Sequence, residues 1–385
     1  MLKEDIALLI NFFKEYWGMI NYIQIENFKS IKNLALPLEN LNLFFGMNGM
    51  GKSSVIQALL LLRQSFWENH KSGLDYLYTN GDMIQLGTGK DVFCQSGVSE
   101  DIRFYIQYNN IKYDCRYKYK LDEPDSDQLM RIKEESDEKY DVSLFSDHFS
   151  YLGAEHLGPR KQYSVENWKK NGVVKLGTTG EFVVPFLAME GEKIRIPEKL
   201  CLQTWKTNRL IDHVSPWMAE ISTGIKIKAD LLPASEKAKL DINYSGNRLI
   251  SDAFLPVNVG FGIPYVLPLI VELLISDKDS LLLIENPESH LHPKGQAMVA
   301  ELISLVAENG CQIICESHSD HVINGVRVAV KKGKISSKKV GITFFSKNEN
   351  QETKTDNIYV DNKGNLSGYP IGLLDEWGIL MSELI

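Results

Sequence analysis

Residues 46–53, GMNGMGKS, constrain this chain more than any other stretch, because they keep the spacing G-x-x-x-x-G-K-[ST] without a gap. A short strand pattern, LNLFF (41–45), enters them, and a helical pattern with the apolar run VIQALLLL leaves them over 53–66. Each residue type has a physical task in such a turn. Gly46, Gly49 and Gly51 allow backbone conformations that a side chain blocks, so successive N–H groups can face an anion. The helix that follows aims its positive end at the same point. Lys52 brings a point charge to the outer phosphates, and Ser53 offers a hydroxyl to a hard cation such as Mg²⁺. Asn48 and Ser54 complete the expected contacts.

The rest of the chain is compatible with a fold built on that unit. Its 385 residues are 44% hydrophobic, enough for a sizeable core. No apolar run reaches the roughly 20 residues a membrane span needs, and the expectation is no membrane partner. Five cysteines, none in a CxxC pair, fit a reducing, cytoplasmic setting without structural zinc, and Cys311 and Cys315 read as core. A formal net charge of −8 argues against a protein dedicated to coating nucleic acid, although Lys331, Lys332, Lys334, Lys338 and Lys339 leave DNA open as a partner.

The pattern changes along the chain. Residues 20–26 alternate as a half-buried strand. Residues 101–120 predict a hairpin turning at Asn109-Asn110, and 121–141 an exposed acidic loop. A helix is expected over 198–221 and two strands over 223–245. From 254 onward strands (280–285, 311–316, 339–346) alternate with helices (263–275, 293–309, 319–331), which predicts a parallel sheet. No sustained heptad pattern occurs, so no coiled-coil arm is expected.

Three motifs in this order, GMNGMGKS, LLLIENPESHLHP (281–293) and ICESHSD (314–320), resemble the ATPase head of the RecF/SMC/OLD branch of ABC-type ATPases. OLD denotes the overcoming-lysogenization-defect group. IQIENFKSI (23–31) is similar to that group's first strand. YLGAEHLGPR (151–160), NVGFGIPYVLPL (258–269) and GYPIGLLDEW (368–377) resemble a subset of compact bacterial members, found in anti-phage defence operons beside effectors such as HNH nucleases.

The resemblance implies an α/β fold: an ABC-type P-loop head with a parallel core sheet, an N-terminal antiparallel β portion and an inserted α+β subdomain. The implied division is an extension (1–18), an N-terminal lobe (19–97), the insert (98–250), a C-terminal lobe (251–350) and a tail module (351–385). Residues 1–18 read as an amphipathic helix that docks a partner, packs on its own head, or is absent from the native product. The short tail leaves no room for a DNA-cleaving domain, so the output is expected in movement or in a partner.

The resemblance also implies ATP and Mg²⁺ as ligands, with Glu285 as the magnesium carboxylate and His318 as the γ-phosphate switch. Lys29 is placed near the phosphates. Gly260 and Gly262 stand where a signature loop reaches the opposite protomer, which implies a homodimer or higher oligomer through the nucleotide face. His290 and His292 form an H-x-H pair that lies at that interface in the family, rather than a metal site. Where such heads carry a catalytic glutamate, this chain has Asn286, and an amide orients water without accepting its proton. Either Glu288 supplies the carboxylate and the protein turns over, or it is a slow switch that reports ATP binding. A RecF-like repair ATPase and a nucleotide-stabilised scaffold are the competing functions.

Overall fold

The computed structural model describes residues 18–71, 73–97, 99–108, 111–132, 140, 142–166, 176–202, 207–233, 235–246 and 251–384. The amphipathic segment expected before Gly18, the Asn109-Asn110 turn, and Glu134, Glu135, Asp137 and Glu138 of the acidic loop lie outside them.

The N-terminal part runs β1 (Tyr22–Phe28), β2 (Ile31–Pro37), β3 (Leu41–Phe45), α1 (Lys52–Glu68), β4 (Tyr76–Tyr78), α2 (Gly89–Val92), β5 (Asp101–Tyr108), β6 (Ile111–Lys118) and β7 (Gln128–Met130). The middle contributes β8 (Phe149–Leu152), β9 (Tyr163–Ser164), α3 (Val183–Glu190), α4 (Leu210–Ile221), β10 (Ile225–Leu231) and β11 (Lys237–Tyr244). The remainder is α5 (Gly262–Ile275), β12 (Leu281–Glu285), α6 (Pro293–Glu308), β13 (Gln312–Glu316), α7 (Asp320–Lys331), β14 (Val340–Lys347), β15 (Thr353–Tyr359) and α8 (Glu376–Glu383).

A six-stranded sheet, ordered β15-β14-β3-β13-β12-β8, is the centre of the molecule. All its neighbours pair in parallel except β14 with β15. Its inner strands are mostly apolar because both faces are covered. Successive residues therefore feed two different cores. Leu43, Leu282, Ile284 and Ile313 face one cluster with Leu269, Leu302 and Val326 of α5, α6 and α7. Phe44, Leu283 and Ile314 face the other, with Val55, Leu59 and Leu62 of α1. Cys311 and Cys315 are buried in the first core. Helix α5 runs through Pro268 without ending there.

Four features depart from the sequence expectation. A second strand, β2, follows β1 across a turn that carries Asn27 and Lys29 at φ of 56° and 53°, with no glycine to announce it. The hairpin β5–β6, expected inside the insert 98–250, completes the four-stranded sheet β2-β1-β5-β6, in which Ile25 lies opposite Phe104. Strand β15, expected in the tail module 351–385, instead extends the core sheet. The helix expected over 198–221 is shortened to α4, preceded by a single 3-10 turn at Glu198–Leu200.

Candidate nucleotide site

Strand β3, an inner strand, delivers the 46–53 turn to the C-terminal ends of the parallel strands, and α1 starts at Lys52. Gly46, Gly49 and Gly51 have φ of 136°, 76° and 104°, a region closed to most side chains. Gly46 is also sterically required, since a Cβ there would lie 2.2 Å from the Phe345 carbonyl oxygen. Gly51 caps α1 in the left-handed conformation without any side-chain cap, so the first N–H groups of the helix are left to a ligand. Asn48, Gly49, Gly51, Ser53 and Ser54 line a cavity of about 360 Å³ together with Lys29 and Lys52. Lys29 also borders a second cavity of about 530 Å³, on the side of Asp91 and Phe93.

Lys52 is 3% exposed and donates to the carbonyls of Gly46 (2.8 Å) and Met47 (2.9 Å). Burial lowers its pKa, partly opposed by the charge of Glu316. Lys29 donates to Gln57 Oε1 at 2.6 Å, and burial lowers its pKa too.

The carboxylate that meets this turn is Glu316, which sequence reasoning does not single out. Ser53 Oγ donates to Glu316 Oε1 at 3.0 Å, and Lys52 Nζ lies 3.7 Å from the same oxygen. Burial raises the Glu316 pKa, against the pull of Ser53 and Lys52. The signal was available: an acidic residue ends the strand that a parallel order inserts between β3 and β12. Glu285 ends β12 directly opposite Glu316 in register, one strand farther out, and accepts a hydrogen bond from Tyr151 Oη at 2.9 Å. Burial, then the Glu316 charge, pushes its carboxyl up to about 7.

His318 reaches the same group, its Nε2 lying 3.8 Å from Glu316 Oε1. Burial and the nearby Lys52 lower its pKa, which favours the neutral ring. Glu288 holds the loop in which it sits. Its Oε2 accepts from Ser317 Oγ at 2.8 Å and its Oε1 from the His318 backbone N–H at 2.7 Å. Both oxygens thus accept hydrogen bonds from the His318 loop, and each keeps a further lone pair. Asn286, at φ 50°, donates its backbone N–H to the Glu316 carbonyl at 2.9 Å.

Two buried oxygens here, Asn286 Oδ1 and Glu316 Oε2, have no hydrogen-bond partner. Buried polar atoms left unpaired are costly, so their presence beside an open anion cradle fits a site that a ligand completes. The donor set of hydroxyl, amide and carboxylate oxygens suits Mg²⁺, which takes one or two carboxylates plus phosphate oxygens and waters. No preformed cage of three or more His, Cys, Asp or Glu exists among the described residues.

The other predicted residues lie apart from this cavity. Gly260 is exposed with open space around it, whereas a Cβ on Gly262 would lie 2.4 Å from the His290 carbonyl oxygen. The His290 ring packs on Phe261 and Tyr265, and His292 accepts from the Lys294 N–H to cap α6. The H-x-H pair therefore serves packing and capping. No helix among the described residues is long and apolar enough to cross a membrane.

A glycine-turn strand and an acidic strand separated by one intervening parallel strand, with a histidine loop beside them, are similar to the arrangement of an ABC-type P-loop ATPase head. Family models agree over separate stretches: "AAA ATPase domain" over residues 19–174 and "AAA domain, putative AbiEii toxin, Type IV TA system" over 217–324. A third, "Protein of unknown function (DUF3696)", matches 335–384. The DNA replication and repair protein RecF of Geotalea uraniireducens (strain Rf4) is 25% identical over 158 residues, covering 36% of this chain and 41% of that relative. The chain thus spans less than half the length of that curated relative.

Among solved structures, an Smc head bound to the C-winged helix domain of ScpA has a TM-score of 0.48 at 15% identity, covering 89% of this chain and 98% of that one. An Smc head with an extended coiled coil bound to the C-terminal domain of ScpA, derived from Pyrococcus furiosus, has a TM-score of 0.48 at 14% identity, with coverages of 96% and 100%. The SMC head domain from Thermotoga maritima has a TM-score of 0.45 at 11% identity, with coverages of 89% and 99%.

Proposed function

We propose that this chain binds Mg-ATP in the Lys52 cavity, hydrolyses it slowly, and uses its nucleotide state to gate a partner effector in anti-phage defence. The observation that carries the reading is the convergence of Lys52, Ser53, Glu316 and the Glu288-held His318 loop around one anion cradle. Ser53 with Glu285 or Glu316 would hold a bound Mg²⁺, which would supply neutralisation of developing charge. Lys52 and the α1 N-terminus hold the phosphates, and Lys29 stands at the mouth between the two cavities. Asn286 can orient a water but not take its proton, and Glu288 holds the His318 loop, so this arrangement supports slow turnover. General-base assistance is worth roughly 10²–10⁴-fold in rate. Multiple-turnover phosphate release measures it: a rate that Lys52→Ala leaves intact would sink the ATPase reading.

Pairing through the nucleotide face, with Gly260 and Gly262 contacting the opposite protomer, is supported by the exposed Phe254, Val257 and Phe261 around that turn. The effector side is supported by contacts that tie the C-terminal segment to the P-loop. Thr353 of β15 bonds Ser30 (3.0 Å) and lies where a Cβ on Gly51 would be, while beyond it Tyr369, Ile371 and Leu384 are exposed. Purification with the products of neighbouring genes, with and without ATP, followed by mass measurement, tests both. A monomer that captures no partner in either state would refute them. The RecF relative favours a second reading, a DNA-repair ATPase, which would bind duplex DNA only with ATP and lose affinity steeply as salt rises.

A further inference from the structure

Taking Gly260 and Gly262 as the contact with the opposite protomer, as proposed above, we infer that His156 and Tyr265 are positioning residues that clasp the start of α5 and aim the 258–262 turn outward. Gly260, Phe261 and Gly262 bring no side-chain donor, so an anion at this end of the turn can be met only by backbone N–H groups. Helix α5 begins at Gly262 without a side-chain cap, which leaves its first N–H groups for such a contact. Backbone donors cannot swing as a hydroxyl can, so their aim is the aim of the turn itself. Contacts from outside the turn must fix it.

Two hydrogen bonds run in opposite directions between Tyr265 and the segment after β8. Tyr265 Oη donates to the Ala154 carbonyl at 2.7 Å, and His156 Nδ1 donates to the Tyr265 carbonyl at 2.8 Å. The two rings stack with centroids 4.1 Å apart. A carbonyl only accepts, so Nδ1 carries the ring proton. Burial lowers the His156 pKa, which favours the neutral ring, and Nε2 is left buried without a partner. A leucine at 156 would avoid the cost of that unpaired nitrogen and would not hold the carbonyl.

The turn is gripped on both sides. On the clasp side a Cβ on Gly158 would lie 3.3 Å from the Phe261 ring. On the other side a Cβ on Gly262 would lie 2.4 Å from the His290 carbonyl oxygen, and the His290 ring packs on Phe261 and Tyr265. Gly260 and Phe261 stay exposed between these two segments.

The test uses the full chain, Mg²⁺ and a non-hydrolysable ATP analogue. Pairing is followed by sedimentation velocity, and nucleotide affinity by a fluorescent analogue at protein concentrations too low for pairing. His156→Ala is expected to bind the nucleotide as the wild type does and to pair about 10-fold more weakly. His156→Asn, whose amide can donate from the place of Nδ1, is expected to restore most of the pairing, which a loss of ring packing alone would not allow. Tyr265→Phe keeps its ring, loses the bond to Ala154 and is expected to weaken pairing less; it decides the outcome if His156→Ala does not fold. Wild-type pairing in these variants, an asparagine variant as weak as the alanine one, or an equal loss of nucleotide affinity overturns the inference and leaves the pairing reading standing. A wild-type chain that binds the nucleotide and stays a monomer overturns that reading and the inference with it.

Discussion

The ends of β12 and β13 lie side by side, Glu285 opposite Glu316, and differ in almost everything that decides what a carboxylate can do. Glu316 has a hydroxyl and an ammonium beside it, whereas Glu285 has a phenol and its neighbour's negative charge. The same residue type at the same register thus becomes an ion-pair partner on one strand and a half-protonated acid on the next. Strand order produces that difference, because only one strand can adjoin β3 on this side.

Lys52→Ala attacks the comparison where it is strongest. It leaves Glu316 buried without its cation, and breaking a buried pair in this way costs about 3–5 kcal/mol. Denaturation should show that loss, with nucleotide affinity abolished. The double variant Lys52→Ala, Glu316→Gln should recover most of the stability and none of the binding. Failure to recover stability would mean that the two groups are not coupled as their 3.7 Å separation indicates.

Glu285→Gln probes the other strand through pH. The folded carboxyl titrates at about 7 against an ordinary 4.5, so between those values the native state holds a proton that the unfolded chain has released. Stability from this group is therefore complete below pH 4.5 and is lost as pH rises through about 7. In metal-free protein at pH 8 the glutamine variant should be the more stable by about 2–3 kcal/mol, with no difference below pH 4.5. Urea denaturation at both ends of that window checks the sign.

Much of this was legible in the sequence, and the reason is locality. The turn at 46–53, the helix after it and the apolar strand LLLIE each depend on residues within a few positions of one another. What was not legible depends on who lies beside whom. Glu316 sits within CESHSD, but its contact with Ser53 exists only because β13 enters between β3 and β12. That Glu288 accepts from the Ser317 hydroxyl and the His318 N–H likewise depends on the 314–320 segment folding against it. Likewise β2 was hidden by a turn built on Asn27 and Lys29 rather than on glycine.

Glu288→Gln sharpens the distinction between a carboxylate that reacts and one that positions. A glutamine retains one acceptor oxygen and sets an NH₂ against one of the two donors it now satisfies. The expected cost is about 1–2 kcal/mol, located in the His318 loop and readable as faster amide exchange there. If phosphate release falls with the pH profile unchanged in shape, Glu288 acts by placing His318. A lost limb of that profile would instead restore it as the base.

Tyr151→Phe has the smallest expected effect and divides the two strand ends most finely. The phenol donates to Glu285, and burial raises its own pKa so far that it stays a donor at any working pH. Deleting it should cost about 1 kcal/mol and raise the Glu285 carboxyl further, since that bond is what lowers it. Were urea denaturation of Tyr151→Phe to show neither loss nor a changed pH dependence, the phenol would not be what sets Glu285 apart from Glu316, and the contrast between the strands would vanish.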